Sequence, residues 1–357
     1  MLVLLLSLLT TSVFSFSCKD QNNKDVDWFA VYKMPIEKGD NSVPGIGTGV
    51  AWYYLDSNKK GALLPSEKTL DDKDQAIAYT LNQFYEKRTD PTIFHIMYND
   101  EPYNSTSSSL LDMLTSNRID AATIQFGHTK GTMFFDGSDG VWLIHSVPKF
   151  PPPDHYEYPS SGHDYGQTMW CLSFPYSQLG KIATQLYYNK PDIYSSQLPT
   201  KIAADYPLLA QVIAGEFKQG EPYSSTLTLT TKAGTNFMSF AKTNEFNKDL
   251  YDGIVAPTLK ADLIAETWRR GSEVPLECSL TYHTNDALQI QVGATMEFKY
   301  TKDHSKMARS TDATKPWVCI GDVNRMTSQY IRGGGTTCLS STFVWQAFNV
   351  IKEENNC

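Results

Sequence analysis

The sequence lacks several features that would place it in a class at once. Its six cysteines form no Cys-x-x-Cys pair, so a structural zinc site has little support. After the first 17 residues, no stretch approaches the roughly 20 apolar residues that cross a bilayer. No low-complexity linker divides the 357 residues. The formal net charge of -8 argues against a general nucleic-acid binder at neutral pH.

The negative charge does not exclude a nucleic-acid substrate in an acidic compartment. The chain has seven histidines. Near pH ~5 these become largely cationic while some carboxylates begin to protonate, so the charge balance shifts towards positive. DNA therefore stays open as a substrate below neutral pH.

The chain opens with a pattern that is typical of an export signal. Residues 2–14 are almost wholly apolar, and Ser15 and Ser17 supply small residues at the minus-three and minus-one positions of a cleavage site. We expect a signal peptide over 1–17, with Cys18 as the first mature residue. The alternative is an uncleaved anchor.

The cysteines and one sequon agree with export. Six cysteines remain in the predicted mature chain, an even count that implies three disulfides, with fifteen pairings open. Asn104 begins an Asn-Ser-Thr sequon, which belongs on an exposed loop of an exported protein and predicts glycosylation there. We therefore expect a lysosomal or secreted glycoprotein.

Helix and strand patterns are mixed along the whole chain. Helical spacing predicts one amphipathic helix near 70–86 and another over about 205–217. Short β-rich or alternating runs predict strands; they include 93–98, 121–126, 141–144, 227–229 and 288–292. The proline-rich segment 148–159 must be a loop. The mixture predicts an α/β sandwich, built as one large domain or two fused halves.

A segment near the middle of the chain is echoed near its end. Residues 128–149 align with 304–325 without a gap, with five identities in 22 positions. The identical pairs are His128 with His304, Lys130 with Lys306, Asp136 with Asp312, Ile144 with Ile320, and Val147 with Val323. Three of the five are His, Lys and Asp at the same offsets, which favours an internal repeat over the alternative, coincidence.

Two His-x-Lys motifs can supply the groups that phosphodiester cleavage needs without a metal. One imidazole attacks phosphorus to form a phosphohistidine, and the other donates a proton to the departing alkoxide. The second histidine, now a base, activates the water that releases the product. The lysines, Lys130 and Lys306, lie on the same side of an extended segment as their histidines and can hold the phosphate. A mildly acidic optimum, near the histidine pKa of ~6.5, suits this scheme.

Longer segments around these motifs carry a resemblance to a known family. They are VDWFAVYKMP (26–35), MYNDEP (97–102), GHTKG (127–131), GVWLIHSVPKFPP (140–152), YGQTMWCLSFP (165–175), SFAK (239–242), DLY (249–251), DHSK (303–306), CIGDVNR (319–325) and RGGGTTC (332–338). Together they resemble deoxyribonuclease II, a family of the phospholipase D-like superfamily, over nearly the whole mature chain.

The resemblance implies a metal-independent acid endonuclease that needs no cofactor and leaves 3′-phosphate and 5′-hydroxyl ends on DNA. It implies a phospholipase D-like α/β sandwich over 18–357, made of two pseudo-repeats, about 18–185 and 186–357, each a mixed sheet flanked by helices. The repeats would bring both motifs to one cleft. By analogy with the superfamily, His128 is the nucleophile and His304 the general acid.

The resemblance also suggests further site residues. The superfamily follows His-x-Lys with Gly-Ser-x-Asn, and residues 321–324 resemble that element. Asp322 and Asn324 would contact phosphate or orient a histidine. His145 occupies the place that corresponds to Gly321 and is the next candidate. DNA is the expected partner; no obligate protein partner or membrane span is evident, and a homodimer stays open.

The family's cysteine pattern implies three disulfides. The implied pairs are Cys18–Cys171, Cys278–Cys357 and Cys319–Cys338.

The sequence departs from the family at two places. Many members have Asn where this chain has Lys149, and a Trp-Cys pair where it has Met307-Ala308. Lys149 adds a cation near the expected phosphate site and could weaken or retune the first motif.

Other polar and aromatic residues have a structural interpretation beside the functional one. His155 and His163 could form a metal cluster, but a solvated loop is the better interpretation, because no ligand spacing is diagnostic. The run 333–335 of three glycines could cradle phosphate or form a turn. The tyrosines in this part of the chain, Tyr156, Tyr158 and Tyr165, could stack on bases, although packing within a loop is the commoner fate.

Two other functions compete with a nuclease. One is a secreted nuclease-like protein that binds nucleic acid but does not cut it; the intact His and Lys of both motifs count against it. The other is a lipid phosphodiesterase of the wider superfamily, but the long segments that match belong to the nuclease branch.

Overall fold

The computed structural model describes residues 15–59, 61–103, 126–294 and 296–357. The sequon at Asn104, the first 14 residues of the predicted signal peptide, and residues 121–125 of one predicted strand lie outside the described residues. Glycosylation and signal cleavage therefore stay predictions.

Strands and short helices alternate along the described residues. The strands are β1 Cys18–Lys19, β2 Asp25–Val26, β3 Trp28–Lys33, β4 Trp52–Asp56, β5 Leu64–Pro65, β6 Phe94–Asn99, β7 Lys130–Phe135, β8 Asp139–His145, β9 Gln167–Pro175, β10 Ile193–Gln197, β11 Ser224–Thr230, β12 Asn236–Lys242, β13 Leu263–Thr267, β14 Thr284–Val292, β15 Met296–Lys299, β16 Lys306–Ser310, β17 Trp317–Gly321, β18 Gly334–Ser340 and β19 Ile351–Glu354. The α-helices are Ala76–Tyr85, Leu179–Asn189, Thr200–Asp205, Leu208–Ile213, Ala256–Leu259 and Thr342–Ala347, with a π-helical turn at Tyr251–Val255.

Two large sheets pack face to face. The strand order is β10-β6-β7-β8-β9-β3-β4-β5 in the first sheet and β11-β12-β18-β17-β16-β13-β14-β15 in the second, with β19 beside β14. Strand β10 pairs with β6 in the first sheet, and the next strand along the chain, β11, belongs to the second sheet. The chain therefore passes from the first sheet to the second between residues 197 and 224. The α/β class and the sandwich that the sequence predicts are confirmed.

Alternation along the strands builds three apolar layers. In β8, Trp142 belongs to the cluster between the two sheets and Val141 to the cluster on the outer side of the first sheet. In β17, Ile320 belongs to the same central cluster, whereas Cys319 belongs to the cluster on the outer side of the second sheet. This is the period of two that strands impose on their side chains.

A helix covers the outer side of the first sheet. The predicted helix near 70–86 is present as Ala76–Tyr85 and begins later because the side chain of Gln75 caps it, accepting from the backbone N–H of Ile77 at 2.7 Å. Its Phe84 stacks on Phe134 of β7, with ring centroids 5.6 Å apart. The helix predicted over about 205–217 is shorter, Leu208–Ile213; a separate helix, Thr200–Asp205, ends before it at Tyr206 and Pro207, because proline has no N–H to continue that helix.

The two halves of the echoed segment occupy equivalent positions in the two sheets. Strands β6, β7, β8, β9 and β3 follow the same spatial order as β13, β16, β17, β18 and β12, and every one of these neighbours is antiparallel. Residues 128–149 and 304–325 each form a hairpin. The shared aspartate is a turn residue: Asp136 accepts from the N–H of Ser138 at 2.7 Å, and Asp312 from that of Thr314 at 2.8 Å.

Three disulfides join the described cysteines. They are Cys18–Cys171, Cys278–Cys357 and Cys319–Cys338, which are the pairs that the resemblance implies. The segment 148–159 contains no strand or helix, as its prolines predict. Among the described residues, no helix has both the length and the apolar character that a membrane span requires.

Candidate active site

Both His-x-Lys motifs lie at the beginning of an interior strand. Lys130 is the first residue of β7 and Lys306 the first of β16, so His128 and His304 each lie two residues ahead of a strand. These strands hold equivalent places in the two sheets. The histidines therefore project from irregular backbone that a rigid strand holds in position.

Each motif is anchored to the loop that leads into a strand of the opposite sheet. The N–H of His128 donates to the carbonyl of Gly333, immediately before β18, at 2.9 Å. The N–H of His304 donates to the carbonyl of Gly166, immediately before β9, at 2.8 Å. A Cβ atom at position 333 would lie 2.6 Å from the carbonyl oxygen of Asn189. The close packing of this loop against Asn189 therefore requires glycine at 333. The crossed contacts bring both motifs to one seam between the sheets.

The ring of His128 is buried and has a partner on each side. Its Nδ1 lies 2.8 Å from Oε1 of Gln329, which makes Nδ1 the donor and leaves Nε2 without a proton in the neutral ring. Nε2 lies 3.3 Å from Oδ2 of Asp100. The amide nitrogen of Asn324 lies 3.5 Å from Nδ1; since both nitrogens are then donors, this is a contact and not a hydrogen bond.

The ring of His304 has its tautomer set by a backbone carbonyl. Its Nδ1 lies 3.1 Å from the carbonyl oxygen of Ser146 and 3.2 Å from Oε1 of Gln167. Since a carbonyl can only accept, Nδ1 carries the proton and Nε2 is the atom that titrates. The ring of Trp268 lies against His304 with centroids 5.1 Å apart.

The two lysines have different partners. Nζ of Lys130 pairs with Asp100, and the other oxygen of that carboxylate lies 3.3 Å from Nη2 of Arg332. Nζ of Lys306 donates to the carbonyl of His304 at 2.9 Å and lies 3.4 Å from Nε2 of the same ring. Lys130 is thus paired with a carboxylate, whereas Lys306 places its charge directly beside an imidazole.

Burial and the surrounding cations keep both histidines neutral. Burial lowers the pKa of His304, and the charges of Lys306, Lys130 and His128 lower it further. The pKa of His128 is likewise well below its usual value, chiefly through burial, although Asp100 opposes the shift. The influence of each motif's charges on the other's ring shows that the two motifs share one electrostatic site. A bound phosphate anion would favour the protonated ring and reverse part of this shift.

The remaining charges of the site are also shifted. Burial and the charge of Lys130 lower the pKa of Lys306 to about 7. Burial opposes the charged form of Asp100, but the adjacent His128, Lys130 and Arg332 outweigh it and hold the pKa of its carboxyl well below the usual range. Burial raises the pKa of Asp322 to about 8, so this carboxyl is neutral at acidic pH.

The structure brings most of the predicted site residues together. Oδ1 of Asp322 accepts from the backbone N–H of Lys130 at 3.2 Å, which joins the second half of the chain to the first motif. His145 lies apart from these contacts. Its Nδ1 accepts from the N–H of Val147 at 3.2 Å, its ring packs on Phe150 at 5.2 Å, and burial lowers its pKa to about 3. A catalytic role for His145 stays a prediction.

Several described residues around the motifs are not among those predicted from the sequence. They include Asp100, Gln167, Gln329 and Arg332. The first, second and fourth lie within segments that carry the family resemblance, which is a usable signal. Gln329 has no such signal, because it lies outside every matched segment and only the fold brings it to His128.

Exposure and burial also decide between the structural and the functional interpretation of residues 155, 156 and 158. His155 is exposed and pairs with Asp154 and Glu157, as a solvated loop residue does. Among the described residues no group of three His, Cys, Asp or Glu could hold a metal ion. Tyr156 and Tyr158 are buried, which confirms packing within the loop, the commoner fate, for these two residues.

A family model and several similar proteins agree on the family to which this sequence is related. The model of the family described as "Deoxyribonuclease II" matches residues 17–357. The chain is 63% identical to "Deoxyribonuclease-2" of Caenorhabditis elegans, over 100% of this chain and 98% of that protein. It is 38% identical to "Plancitoxin-1" of Acanthaster planci, over 93% and 89% of the two chains. It is 36% identical to "Deoxyribonuclease-2-alpha" of Sus scrofa, over 97% and 92%.

Proposed function

Because the chain belongs to the deoxyribonuclease II family and is a DNA hydrolase, we propose that His128 and His304 cleave the phosphodiester at acidic pH without a metal. One observation carries the proposal: each His-x-Lys motif is hydrogen-bonded to the opposite half of the chain. Two imidazoles and two lysines then share a single buried site, which is the set of groups that such a cleavage needs.

His128 is the proposed nucleophile. With Nδ1–H bonded to Gln329, Nε2, which lies 3.3 Å from Oδ2 of Asp100, carries the lone pair that attacks phosphorus. A P–N bond forms as the bond from phosphorus to the 5′-oxygen breaks. The 3′ portion of the phosphodiester stays on His128 as a phosphohistidine.

His304 is the proposed general acid. Its Nε2 gives a proton to the departing 5′-oxygen, so the first product leaves with a 5′-hydroxyl. The same nitrogen then takes a proton from water as the water oxygen attacks phosphorus and the P–N bond breaks. The second product leaves with a 3′-phosphate, and both histidines return to their starting states.

The other charged groups of the site stabilise the phosphorane-like transition state. Lys306 and Lys130 supply positive charge to the phosphoryl oxygens. Asp322, neutral at acidic pH, and Asn324 are proposed to contact phosphate or to hold a histidine. Because the general acid works only when protonated and burial lowers the pKa of His304, the expected activity lies on the acidic side of neutrality.

An acidic optimum fits lysosomes or the exterior of the cell, the compartments that are expected from the predicted signal peptide. We propose that the protein acts in lysosomes or after secretion, on DNA from dead or engulfed cells or on extracellular DNA. The shifted groups of the site support this proposal, since they favour activity where the pH is low.

Plasmid cleavage tests the proposal directly. Purified oxidised protein is incubated with supercoiled plasmid at pH 5 and pH 7.5, with excess chelator. We expect cleavage at pH 5 despite the chelator, and a loss of at least ~10²-fold in His128→Ala and in His304→Ala. The matched control is His155→Ala, which changes an exposed histidine and should keep the wild-type rate.

Two outcomes would contradict the proposal. One is a requirement for added divalent metal; the other is near-normal cleavage by either active-site variant.

A second experiment locates the phosphate of the covalent intermediate. The reaction is stopped by rapid mixing with denaturant at alkaline pH, and mass spectrometry of peptides identifies the modified residue, which is expected to be His128. Phosphate found on His304 would exchange the two proposed roles.

A further inference from the structure

Three side chains form an aromatic and cationic cluster beside His304. The ring of Trp268 makes edge-to-face contacts with His304, with centroids 5.1 Å apart, and with Tyr165, with centroids 4.6 Å apart. The guanidinium of Arg270 lies over both rings, 4.4 Å from the centroid of Trp268 and 5.2 Å from that of Tyr165. We call Tyr165, Trp268 and Arg270 the aromatic platform.

The platform extends from the buried site to the surface. Tyr165 and Trp268 are partly exposed and Arg270 is exposed. Arg270 is nevertheless held in place, because its Nη2 donates to the carbonyl of Thr301 at 2.6 Å while its guanidinium lies over the two rings. The guanidinium is therefore positioned before any ligand arrives.

The platform also joins the two sheets. Tyr165 lies in the loop before β9 of the first sheet, and Trp268 directly follows β13 of the second. The loop before β9 is tied down by the buried Lys33, whose Nζ donates to the carbonyl of Tyr165 at 2.8 Å. The platform thus stands on the seam where the two motifs meet, on the His304 side.

We infer that the aromatic platform binds the base of the nucleotide that carries the leaving 5′-oxygen. This inference rests on the proposed function, in which His304 protonates that oxygen and so lies next to that nucleotide. Aromatic faces and guanidinium planes stack on any base, and the positive charge of Arg270 suits a neighbouring phosphate. Since a base can reach the platform only outside the helical stack, the inference predicts binding of single-stranded or locally opened DNA at this nucleotide.

A single abasic nucleotide separates base stacking from a merely structural role of the tryptophan. Single-stranded oligonucleotides, intact or with one tetrahydrofuran abasic nucleotide, are cut at pH 5 in chelator, and the rate at each linkage is read from a gel. For wild type we expect cleavage at the linkage on the 5′ side of the abasic nucleotide to slow roughly 10-fold. In Trp268→Leu the intact linkage should slow by a similar factor, and the abasic penalty should nearly vanish.

The chain offers a matched control. Trp345 is also partly exposed and covered by an arginine, with Arg309 3.5 Å from its ring centroid. Its Nε1 donates to the carbonyl of Ser310, at the end of β16 opposite Lys306. Trp345→Leu should therefore keep the wild-type abasic penalty, and Trp268→Phe should restore most of it at the platform.

Three results would overturn the inference. They are no abasic penalty in wild type, a penalty of equal size in Trp268→Leu, or a penalty at the linkage on the other side of the abasic nucleotide only. Absence of all cleavage by wild type would instead contradict the proposed function. Equilibrium binding of the same oligonucleotides to the wild-type protein is then measured at pH 5. Equal affinity for intact and abasic strands would also overturn the inference that the platform binds a base.

Discussion

Gln329 and His128 are 201 residues apart in the chain, yet the amide oxygen of Gln329 lies 2.8 Å from Nδ1 of His128. Gln167 holds the corresponding position against Nδ1 of His304, at 3.2 Å. Each glutamine comes from the half of the molecule opposite to its histidine. The orientation of each ring is therefore a property of the assembled sandwich, and of neither sheet alone.

Two buried lysines hold the backbone at or next to these glutamines. Lys242, the last residue of β12, donates to the carbonyl of Gln329 at 2.9 Å and to that of Tyr330 at 3.2 Å. Lys33, the last residue of β3, donates in the same way to the loop before β9. Both lysines act on the backbone and so support the site without facing the substrate.

The first prediction concerns Gln329. Gln329→Leu should lower the cleavage rate by roughly 10–100-fold, the usual cost of losing a group that orients a reactive side chain. Gln329→Glu should raise the pKa of His128, because a carboxylate 2.8 Å from Nδ1 favours the imidazolium, and should shift the pH–rate profile to higher pH. Exposed Gln219→Leu is the control. Unchanged rates and profiles in both Gln329 variants would show that the hydrogen bond has no role.

The second prediction concerns the charge of Lys306. This charge lowers the pKa of His304, so Lys306→Met should raise it, and a general acid with a higher pKa stays protonated to higher pH. The descending limb of kcat/KM against pH should therefore move to higher pH, while the maximum falls about 10²-fold through loss of transition-state stabilisation. Lys302→Met removes an exposed lysine that pairs with Glu37 and should change neither quantity. A limb that stays fixed or moves to lower pH would exclude this coupling.

The third prediction concerns stability against pH. Glu266 is fully buried, and burial followed by the charge of Asp303 raises the pKa of its carboxyl well above the usual value. A raised folded-state pKa means that the folded state binds the proton more tightly, so stability is highest below the unfolded pKa of ~4.3 and decreases as pH rises from there towards the folded pKa. Glu266→Gln should therefore raise the Tm at pH 7.5 by more than at pH 4.5.

Thermal unfolding at both pH values checks this expectation. The control is Glu67→Gln, which removes the charge of an exposed carboxylate and should shift the Tm little at either pH. An equal effect of Glu266→Gln at both pH values would mean that Glu266 does not titrate between them.

The fourth prediction concerns the amino terminus. Phe16 is fully buried and its ring packs on Phe134, with centroids 4.9 Å apart, while Nε2 of Gln83 donates to the carbonyl of Ser17 at 2.7 Å. A chain that begins at Phe16 should be more stable than one that begins at Cys18 by ~1.5–3 kcal/mol, because the shorter chain lacks the buried phenylalanine.

Urea unfolding of the two chains measures the difference. Phe16→Ala in the longer chain is the control and should lose most of the advantage. Equal midpoints for both starting points would show that residues 16 and 17 add nothing to the fold. Sequencing the amino terminus of the exported protein then tells which form the cell makes, and so tests the predicted cleavage before Cys18.

The sequence by itself determined most of the elements and the family. Period-two and helical spacing located the strands around 93–98 and 141–144 and the helix that ends at Tyr85, because these patterns reflect contacts that are local in the chain. The two His-x-Lys motifs predict which groups react. The sequence predicts that the helix begins near residue 70, but it begins at Ala76, where the side chain of Gln75 caps it.

The tertiary structure alone decided how those groups are set for reaction. It assigned Asp136 and Asp312 to turns, buried Tyr156 and Tyr158, and brought Asp100 and Gln329 to His128. Protonation also depends on it, because the pKa values of the histidines and lysines follow from burial and from charges contributed by the other half of the chain. A linear pattern records which groups are present, but distances between residues roughly 200 positions apart exist only once the two sheets have packed.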